Sequence, residues 1–323
     1  MIDYIDVHRG EFGVEPICRV LAEHGVPIAP SSYRAAKARL PSPRALRDAA
    51  LREVIVATFF DREKGRGVYG ARKMWHQLRR DGVAGLDGEP VARCTVERLM
   101  RSLGLRGARR GAAVITTRGD RQAGRAPDLV DREFRAERPN RLWVVDFTYV
   151  PTWSGMVFTA FVSDVYSRRI VGWRTAASMP TELPLEALEM ALWTRERAGH
   201  TEAGRLEGLV HHSDAGSQYT AIRYGNRLAE AGAIASIGSV GDSYDNALAE
   251  SVIGLYKTEC VRRDGPWRTV DDLELATLSW VHWFNHQRLH SMIGNVPPVE
   301  HEQAYYRQQA TRERPLSGEL SLH

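Results

Sequence analysis

The chain of 323 residues has only three cysteines, Cys18, Cys94 and Cys260, scattered and without a CxxC pair. That spacing argues against both a disulfide framework and a zinc cluster, and the three read as reduced packing residues. No apolar run reaches the roughly 18 residues that a membrane-spanning helix needs. The opening MIDYIDVHRG lacks the basic and apolar regions of a secretory signal, so a cytoplasmic location is expected. Sustained heptads are missing too, which leaves no coiled coil to predict. The length suffices for a sizeable core in two or three domains.

Charge, by contrast, is plentiful and unevenly placed. Residues 1–140 carry 27 Lys+Arg against 18 Asp+Glu, a balance of +9; the other 183 carry 17 against 22, a balance of −5. A basic front and an acidic back fit a chain that grips a polyanion with its first half and supplies metal ligands from its second. A basic face that is merely solvated accounts for the first half equally.

Two short helices are predicted between Val14 and Arg39. Pro16 suits a first turn, Ile17, Val20 and Leu21 keep helical spacing, Gly25 suits a stop, and Ser31 or Ser32 is expected to cap the second helix. The pair is either a helix-turn-helix or a hairpin that only packs. Between Leu46 and Arg106 the pattern is clearer. Ala71, Met74, Trp75 and Leu78 fall at i, i+3, i+4 and i+7, and Val96, Leu99, Met100 and Leu103 repeat the spacing. Arg72, Lys73, Arg79 and Arg80 lie mostly off that stripe, whose Met and Trp read as core and not as a cofactor site. Next, Arg101, Arg106, Arg109, Arg110, Arg118, Arg121 and Arg125 face only one acid, Asp120, which predicts an extended linker. On DNA these guanidiniums suit bidentate phosphate binding; the other reading is a tether with no specific contacts.

Beyond Arg138, the runs LWVVDFTYV, MVFTAFVSD and RRIVGWRT are joined by connections short enough for hairpins and predict three consecutive strands. A helix over TELPLEALEMALWTRER, a strand over LEGLVHH, a helix from Tyr219 to Ala231, a strand AIASIG and a final helix follow. Three carboxylates mark these elements: Asp146 inside the first strand, Asp214 just after the fourth, and Glu250 on the last helix. An acid within an apolar strand is costly unless paired or bound to metal. Convergent acids of this kind could hold two Mg²⁺ or Mn²⁺ ions, one activating the attacking oxygen and one stabilising the leaving oxygen of a phosphoryl displacement. Taken alone, Asp146 also reads as a strand-end acid bonded to a neighbouring loop.

HHSDAGSQYT, GDSYDNALAESVIGLYKTE, VVDFTYV with DVYSRRIVGW, and WFNHQRLHSMIGNVPP together resemble the DDE transposases of bacterial insertion sequences. More narrowly, they resemble the second reading frame (OrfB) of the group that makes its transposase by programmed frameshifting and shares its core with retroviral integrases. The resemblance spans nearly the whole chain. It implies an α/β fold: an RNase H-like core, a mixed five-stranded sheet with helices, preceded by an all-α helix-turn-helix region. It also implies Asp146, Asp214 and Glu250 as the catalytic metal ligands and Lys257 as a DNA contact. The expected domains are a helical segment over 1–45, a candidate helix-turn-helix; a DNA-binding helix-turn-helix over 46–106; a basic linker over 107–135; the core over 136–300; and a tail over 301–323, polar and frayed after Gln309.

Other residues are weighed against the triad. Asp164 reads as a turn or capping residue, and Asp242 and Asp245 as helix caps. Asn246 precedes Glu250 by four residues and shares its helix face, where its amide could orient the carboxylate or touch DNA. Lys257 is seven residues past Glu250, about 10 Å further along the same face, suited to a phosphate beside the scissile one. Gln218 and Tyr219 are candidate contacts to the strand end. Among the basic residues ahead of the core, Arg72, Lys73, Arg106, Arg109 and Arg110 are the expected DNA contacts. His282, His286 and His290 recur every four residues, but among Trp280, Trp283 and Phe284 they read as packing or DNA contact ahead of a zinc site; His211 and His212 read as buried neighbours. Many relatives carry arginine where this chain has Ala215, a departure that removes no metal ligand.

The resemblance implies a polynucleotidyl transferase dependent on Mg²⁺ or Mn²⁺, with two ions. It would hydrolyse a bond at an element end to expose a 3′-OH and use that hydroxyl to attack another phosphodiester. The implied partners are double-stranded DNA, as terminal inverted repeats and target, further copies of the chain, and the upstream-frame product OrfA as fusion or partner. An RNase H-like nuclease that only hydrolyses and a regulatory protein that binds ends without cutting are the alternatives. A retroviral-type integrase is disfavoured because no His/Cys zinc module precedes the core.

Overall fold

The computed structural model describes residues 1–85, 88–109, 128–130, 134–178, 182–201, 205–214, 219, 222–237 and 247–313. The chain divides into two compact units, Met1–Val54 with Gly85–Glu89, and Ile55–Ala84 with Pro90–His323.

The first unit is helical: α1 (Ile2–Phe12), α2 (Val14–Glu23), α3 (Pro30–Ala38) and the start of α4 (Pro43–Phe60). Ile5, Ile17, Cys18 and Tyr33 form its core, and the Tyr33 hydroxyl donates to Asp6 Oδ1 at 2.7 Å. The cap expected at Ser31 or Ser32 is not made. Helix α3 instead starts at Pro30 without a side-chain cap, since proline's fixed φ suits a first turn where its missing N–H has no helical partner to lose. The second unit opens with the predicted amphipathic pair, α5 (Ala71–Arg80) and α6 (Arg93–Ser102), which bury Met74, Leu78, Val96, Leu99 and Met100.

The sheet follows, with β1 (Leu142–Thr152), β2 (Gly155–Asp164), β3 (Ile170–Ala176), β4 (Val210–Ser213) and β5 (Ile234–Ile237) in the order β3-β2-β1-β4-β5. The first three are antiparallel neighbours, while β4 runs parallel to β1 and β5 parallel to β4. This is the RNase H-like arrangement, preceded by an all-α region. Strand β1 is central, so both of its faces must be apolar. Trp143 and Val145 join a core with Leu183, Ala187, Leu188 and Ala191 of α7 (Glu182–Arg197), and Val144 on the other face packs with Leu142, Val165 and Ala249. Helix α8 (Ile222–Glu230) adds Tyr224 and Leu228 to the α7 side.

Helix α7 approaches β3 so closely that a Cβ on Gly172 would collide with the Ala187 carbonyl and lie 2.8 Å from the Ala191 nitrogen. Gly172→Ala is therefore expected to cost about 1–3 kcal/mol through forced separation of helix and sheet. Urea unfolding checks this, and unchanged stability would mean that α7 is not seated so tightly.

On the opposite face α9 (Ala247–Tyr256) brings Ala249 against Val144; a π-helical turn (Lys257–Val261), the short helix α10 (Arg262–Asp264), α11 (Val270–His286) and α12 (Pro298–Glu313) follow it in the chain. Helix α11 begins with a capping box, Thr269 and Asp272 each accepting the other's backbone N–H at 3.2 Å. Asn285 near its end works as an extra rung on β3, accepting from Ile170 N–H at 2.9 Å and donating to Ile170 O at 2.8 Å. Among the described residues no helix is long and apolar enough to cross a membrane.

Candidate active site

The sheet register brings the first two acids together. Strand β4 pairs with β1 from Leu142↔Val210 to Val145↔Ser213, so the next residues on two strands running the same way are Asp146 and Asp214. Neighbouring strands lie about 4.8 Å apart; the two carboxylates thus start from adjacent backbone positions where the pairing ends. The third acid arrives by helix packing. Ala249, Val252 and Tyr256 are the buried side of α9, with the Tyr256 ring edge-on to Phe161 at 5.0 Å, and Phe161 is the cross-strand partner of Asp146. Glu250 stands one step round the helix from Ala249, at the rim of that contact.

Electrostatics record the convergence. The Asp146 carboxyl is held well above its ordinary range, chiefly by burial, then by the charges of Asp214 and Glu250, while the Phe147 N–H and Lys257 oppose the rise. Phe147 N–H donates to Asp146 Oδ1 at 2.8 Å. Glu250 is also raised, by burial. Crowded carboxylates that repel one another make a donor set of hard oxygens suited to a divalent cation. Among the described residues no three His, Cys, Asp or Glu side chains close round a single point, so the acids form an open cluster.

Lys257 reaches the same place, although not along a continuous α-helix. The chain widens into the π turn at Lys257, and Lys257 Nζ comes 5.2 Å from the centre of the Tyr149 ring. Burial and Arg262 lower its pKa, while Asp146 acts the other way. The turn is anchored by Glu259, which accepts from Arg288 Nε at 2.9 Å and Nη2 at 2.6 Å in a buried bidentate pair. Sequence reading missed the turn and its anchor; the available signal was an acid, Glu259, set between Tyr256 and Cys260 of the buried stripe.

Tyr219 is buried, its ring tilted 6.3 Å from Phe147 and edge-on to Tyr224 at 5.6 Å. Its hydroxyl is held well above its ordinary range by burial first and by Asp146 and Asp214 next, and the side chain does not lie on an open surface. Arg72, Arg106 and Arg109 are exposed, and Lys73 is half-buried with its ammonium 5.4 Å from the Tyr69 ring. Arg110, Gln218, Asn246, Asp242, Asp245 and Ala215 lie outside the described residues. Asp164 is a buried turn residue: Oδ1 accepts from Ser167 N–H and Oγ, and Oδ2 from Asn140 N–H at 2.7 Å. Of the three spaced histidines, His290 is buried while His282 and His286 are exposed. His282 stacks on His286 at 4.6 Å, and His290 lies edge-on to Phe284 at 4.5 Å. His211 accepts or donates at Tyr224 Oη, 3.0 Å away, and His212 at Ser236 Oγ, 2.9 Å away.

Comparison with known proteins fits this geometry. Residues 136–243 and 232–298 match models of an integrase core domain, and residues 45–113 match an HTH-like domain. The chain is 53% identical over 293 residues, 91% of its own length and 100% of the relative's, to a putative transposase for insertion sequence element IS986/IS6110 of Mycobacterium tuberculosis. It is 47% identical over 311 residues, 95% of the chain and 97% of the relative, to the transposase for insertion sequence element IS629 of Shigella sonnei. Among solved structures, the HTLV-2 integrase catalytic core domain is 13% identical with a TM-score of 0.39, over 52% of this chain and 99% of its own.

Proposed function

The chain belongs to the insertion-sequence transposases with an integrase-type core, and from that premise we propose that it cleaves DNA at the ends of its element and joins them to a second DNA site. The observation that carries the reading is the register that sets Asp146 beside Asp214, with Glu250 and Lys257 acting electrostatically on the same carboxyl. Asp146, Asp214 and Glu250 would hold two divalent cations, Mg²⁺ or Mn²⁺. When bound, such ions supply Lewis-acid stabilisation of the attacking and leaving oxygens of an in-line displacement.

The side chains have separate tasks. Lys257 binds a phosphate beside the scissile one, and its position against Tyr149 keeps the ammonium aimed at the acid site. The aromatic pair of half-buried Phe147 and buried Tyr219 excludes water from the back of the carboxylates. Water is the first nucleophile and leaves a free 3′-OH; that hydroxyl then attacks a second phosphodiester, whose own 3′ oxygen departs. No covalent link to the protein is required. Arg72, Lys73, Arg106, Arg109, Arg110 and Asn246 are the proposed further DNA contacts. The proposed partners are terminal inverted repeats, target DNA, further copies of the chain and the upstream-frame product, met in the cytoplasm on chromosomal DNA.

The test uses labelled duplexes carrying the element's own ends, with the chain alone and fused to the upstream frame, in Mg²⁺, Mn²⁺ or EDTA. Metal-dependent nicking followed by joined products is the expected result. Cleavage without joining would make the protein a nuclease, and tight binding with neither reaction in either form would make it a regulator of the ends.

A further inference from the structure

Beyond Asp146, β1 carries Tyr149 and runs on to a hairpin tip bearing Trp153, each ring with a cation on one face. Lys257 Nζ stands 5.2 Å from the Tyr149 ring centre, and the Arg268 guanidinium 5.6 Å from that of Trp153. Trp153 is 71% exposed and Tyr149 36%, so each ring keeps an open face. The tip is fixed in place. Trp153 N–H donates to Trp267 O at 3.0 Å and Ser154 N–H to Arg268 O at 3.1 Å. The Trp267 indole N–H in turn donates to Val261 O at 3.2 Å, and Val261 ends the π turn that Lys257 begins. Two rings and two cations therefore belong to one bonded frame. Along an extended strand Tyr149 lies about 10 Å, and Trp153 about 23 Å, from Asp146.

We propose that Tyr149 and Trp153 form a stacking ledge for unpaired bases of the DNA strand that leaves the acid site. The inference rests on the reading of the chain as a DNA-cutting enzyme and assigns a place to one part of its substrate. An exposed aromatic face takes any base, and a neighbouring cation neutralises the adjoining phosphate, which is the combination by which proteins hold single strands. Charge complementarity selects a polyanion, since Lys257 and Arg268 are the charges set on the two rings. A fully paired duplex keeps its base faces inside the stack and offers those cations only phosphates. An unpaired flank uses cations and rings together. Splaying the strand there also lets the scissile phosphate reach Asp146 and Asp214, which are half-buried.

The experiment measures binding of the full-length chain, in EDTA so that no cutting occurs, to fluorescein-labelled DNA by fluorescence polarisation. Two probes of one sequence are compared, a blunt duplex and a duplex with an unpaired flank of about four nucleotides. Wild type is expected to prefer the unpaired flank. Trp153→Ala is expected to lose roughly tenfold in affinity for that probe, in line with one lost base stack, and less than about twofold for the blunt duplex, while Trp153→Phe recovers most of the loss. Circular dichroism should show both variants folded, because the side chain is exposed. No preference in wild type, equal losses on the two probes, or no loss in Trp153→Ala would each overturn the ledge. Should the preference depend on Trp153 while the chain neither cuts nor joins DNA in metal, the ledge stands and the catalytic reading falls. Should the chain cut and join with Trp153 irrelevant to binding, the ledge alone falls.

Discussion

Asp146→Asn is expected to leave the protein folded, and at neutral pH more stable without metal, while reducing nicking and joining by about a thousandfold. The stability half follows from the site's own repulsion. Burial and the charges of Asp214 and Glu250 raise the Asp146 carboxyl above its ordinary range. A carboxyl raised by folding is a group whose ionisation folding opposes, so stability falls as pH rises above the ordinary value of 3.8 and through the folded one. Asparagine keeps the shape, can still accept from Phe147 N–H, and removes that cost. The activity half follows from the same charge. An amide is a far poorer ligand for a hard divalent cation than a carboxylate, and losing about 4 kcal/mol of transition-state stabilisation corresponds to about a thousandfold in rate. Thermal melts in EDTA and gel assays in Mg²⁺ on the same preparations check both halves. A variant that joins DNA at near wild-type rate would take Asp146 out of the metal set, and one that melts much lower would show the carboxylate to be structural.

Glu302→Gln is expected to destabilise the second unit by about 3–5 kcal/mol without touching the acid site. Arg195 is fully buried on α7, where its Nη1 and Nη2 donate to Glu302 at 2.6 and 2.9 Å. Arg169 adds a third bond to Glu302 at 2.8 Å, and Asp164 lies 3.5 Å from Arg195. The glutamine would leave a buried guanidinium short of its main counter-charge, the costly way to break such a pair. The pH dependence is signed. Burial raises the Glu302 carboxyl, but Arg195, by charge and hydrogen bonds, and then Arg169 outweigh it and bring it down to about 2. This depressed carboxylate contributes stability that is fully present above the ordinary value of 4.5 and lost as pH falls towards about 2. Urea titrations between neutral pH and pH 3 should show wild type losing stability on acidification more steeply than Glu302→Gln. Loss of less than about 1 kcal/mol in the variant would mean that α12 is not held through this pair.

The network also accounts for a helix that the hydrophobic pattern does not mark. The segment after residue 300 looks like a polar tail because its pattern offers no broad apolar stripe, yet α12 runs to Glu313. It is held by charge, through Glu302 and the Arg80–Glu300 pair, and by rings, with His301 and Tyr305 against Tyr166 and Tyr306 against His200. Hydrophobic periodicity cannot reveal an element whose docking is ionic and aromatic. The π turn escaped for a related reason: seven residues from Glu250 to Lys257 suit an unbroken α-helix, and the buried pair that anchors the wider turn joins Glu259 to Arg288, 29 residues on.

Local sequence alone marked the five strands and their order along the chain, and singled out Asp146 as a candidate, because alternation, apolar runs and a charge inside an apolar strand are properties of neighbours along the chain. The amphipathic helices of residues 71–102 were legible for the same reason. Tertiary structure alone decided which acids meet. Val145↔Ser213 is the last pair of a parallel ladder, and that register depends on how α7 and α9 cover the two faces of β1. It likewise supplied the partners of Asp164, the acid read from sequence as a turn or capping residue: Asn140 and Ser167 donate to it and Arg195 lies 3.5 Å away. Whether a carboxylate is neutralised by a buried arginine or left facing other carboxylates is set by partners more than twenty residues away. The catalytic pattern and the structural one therefore diverge only when the chain has folded.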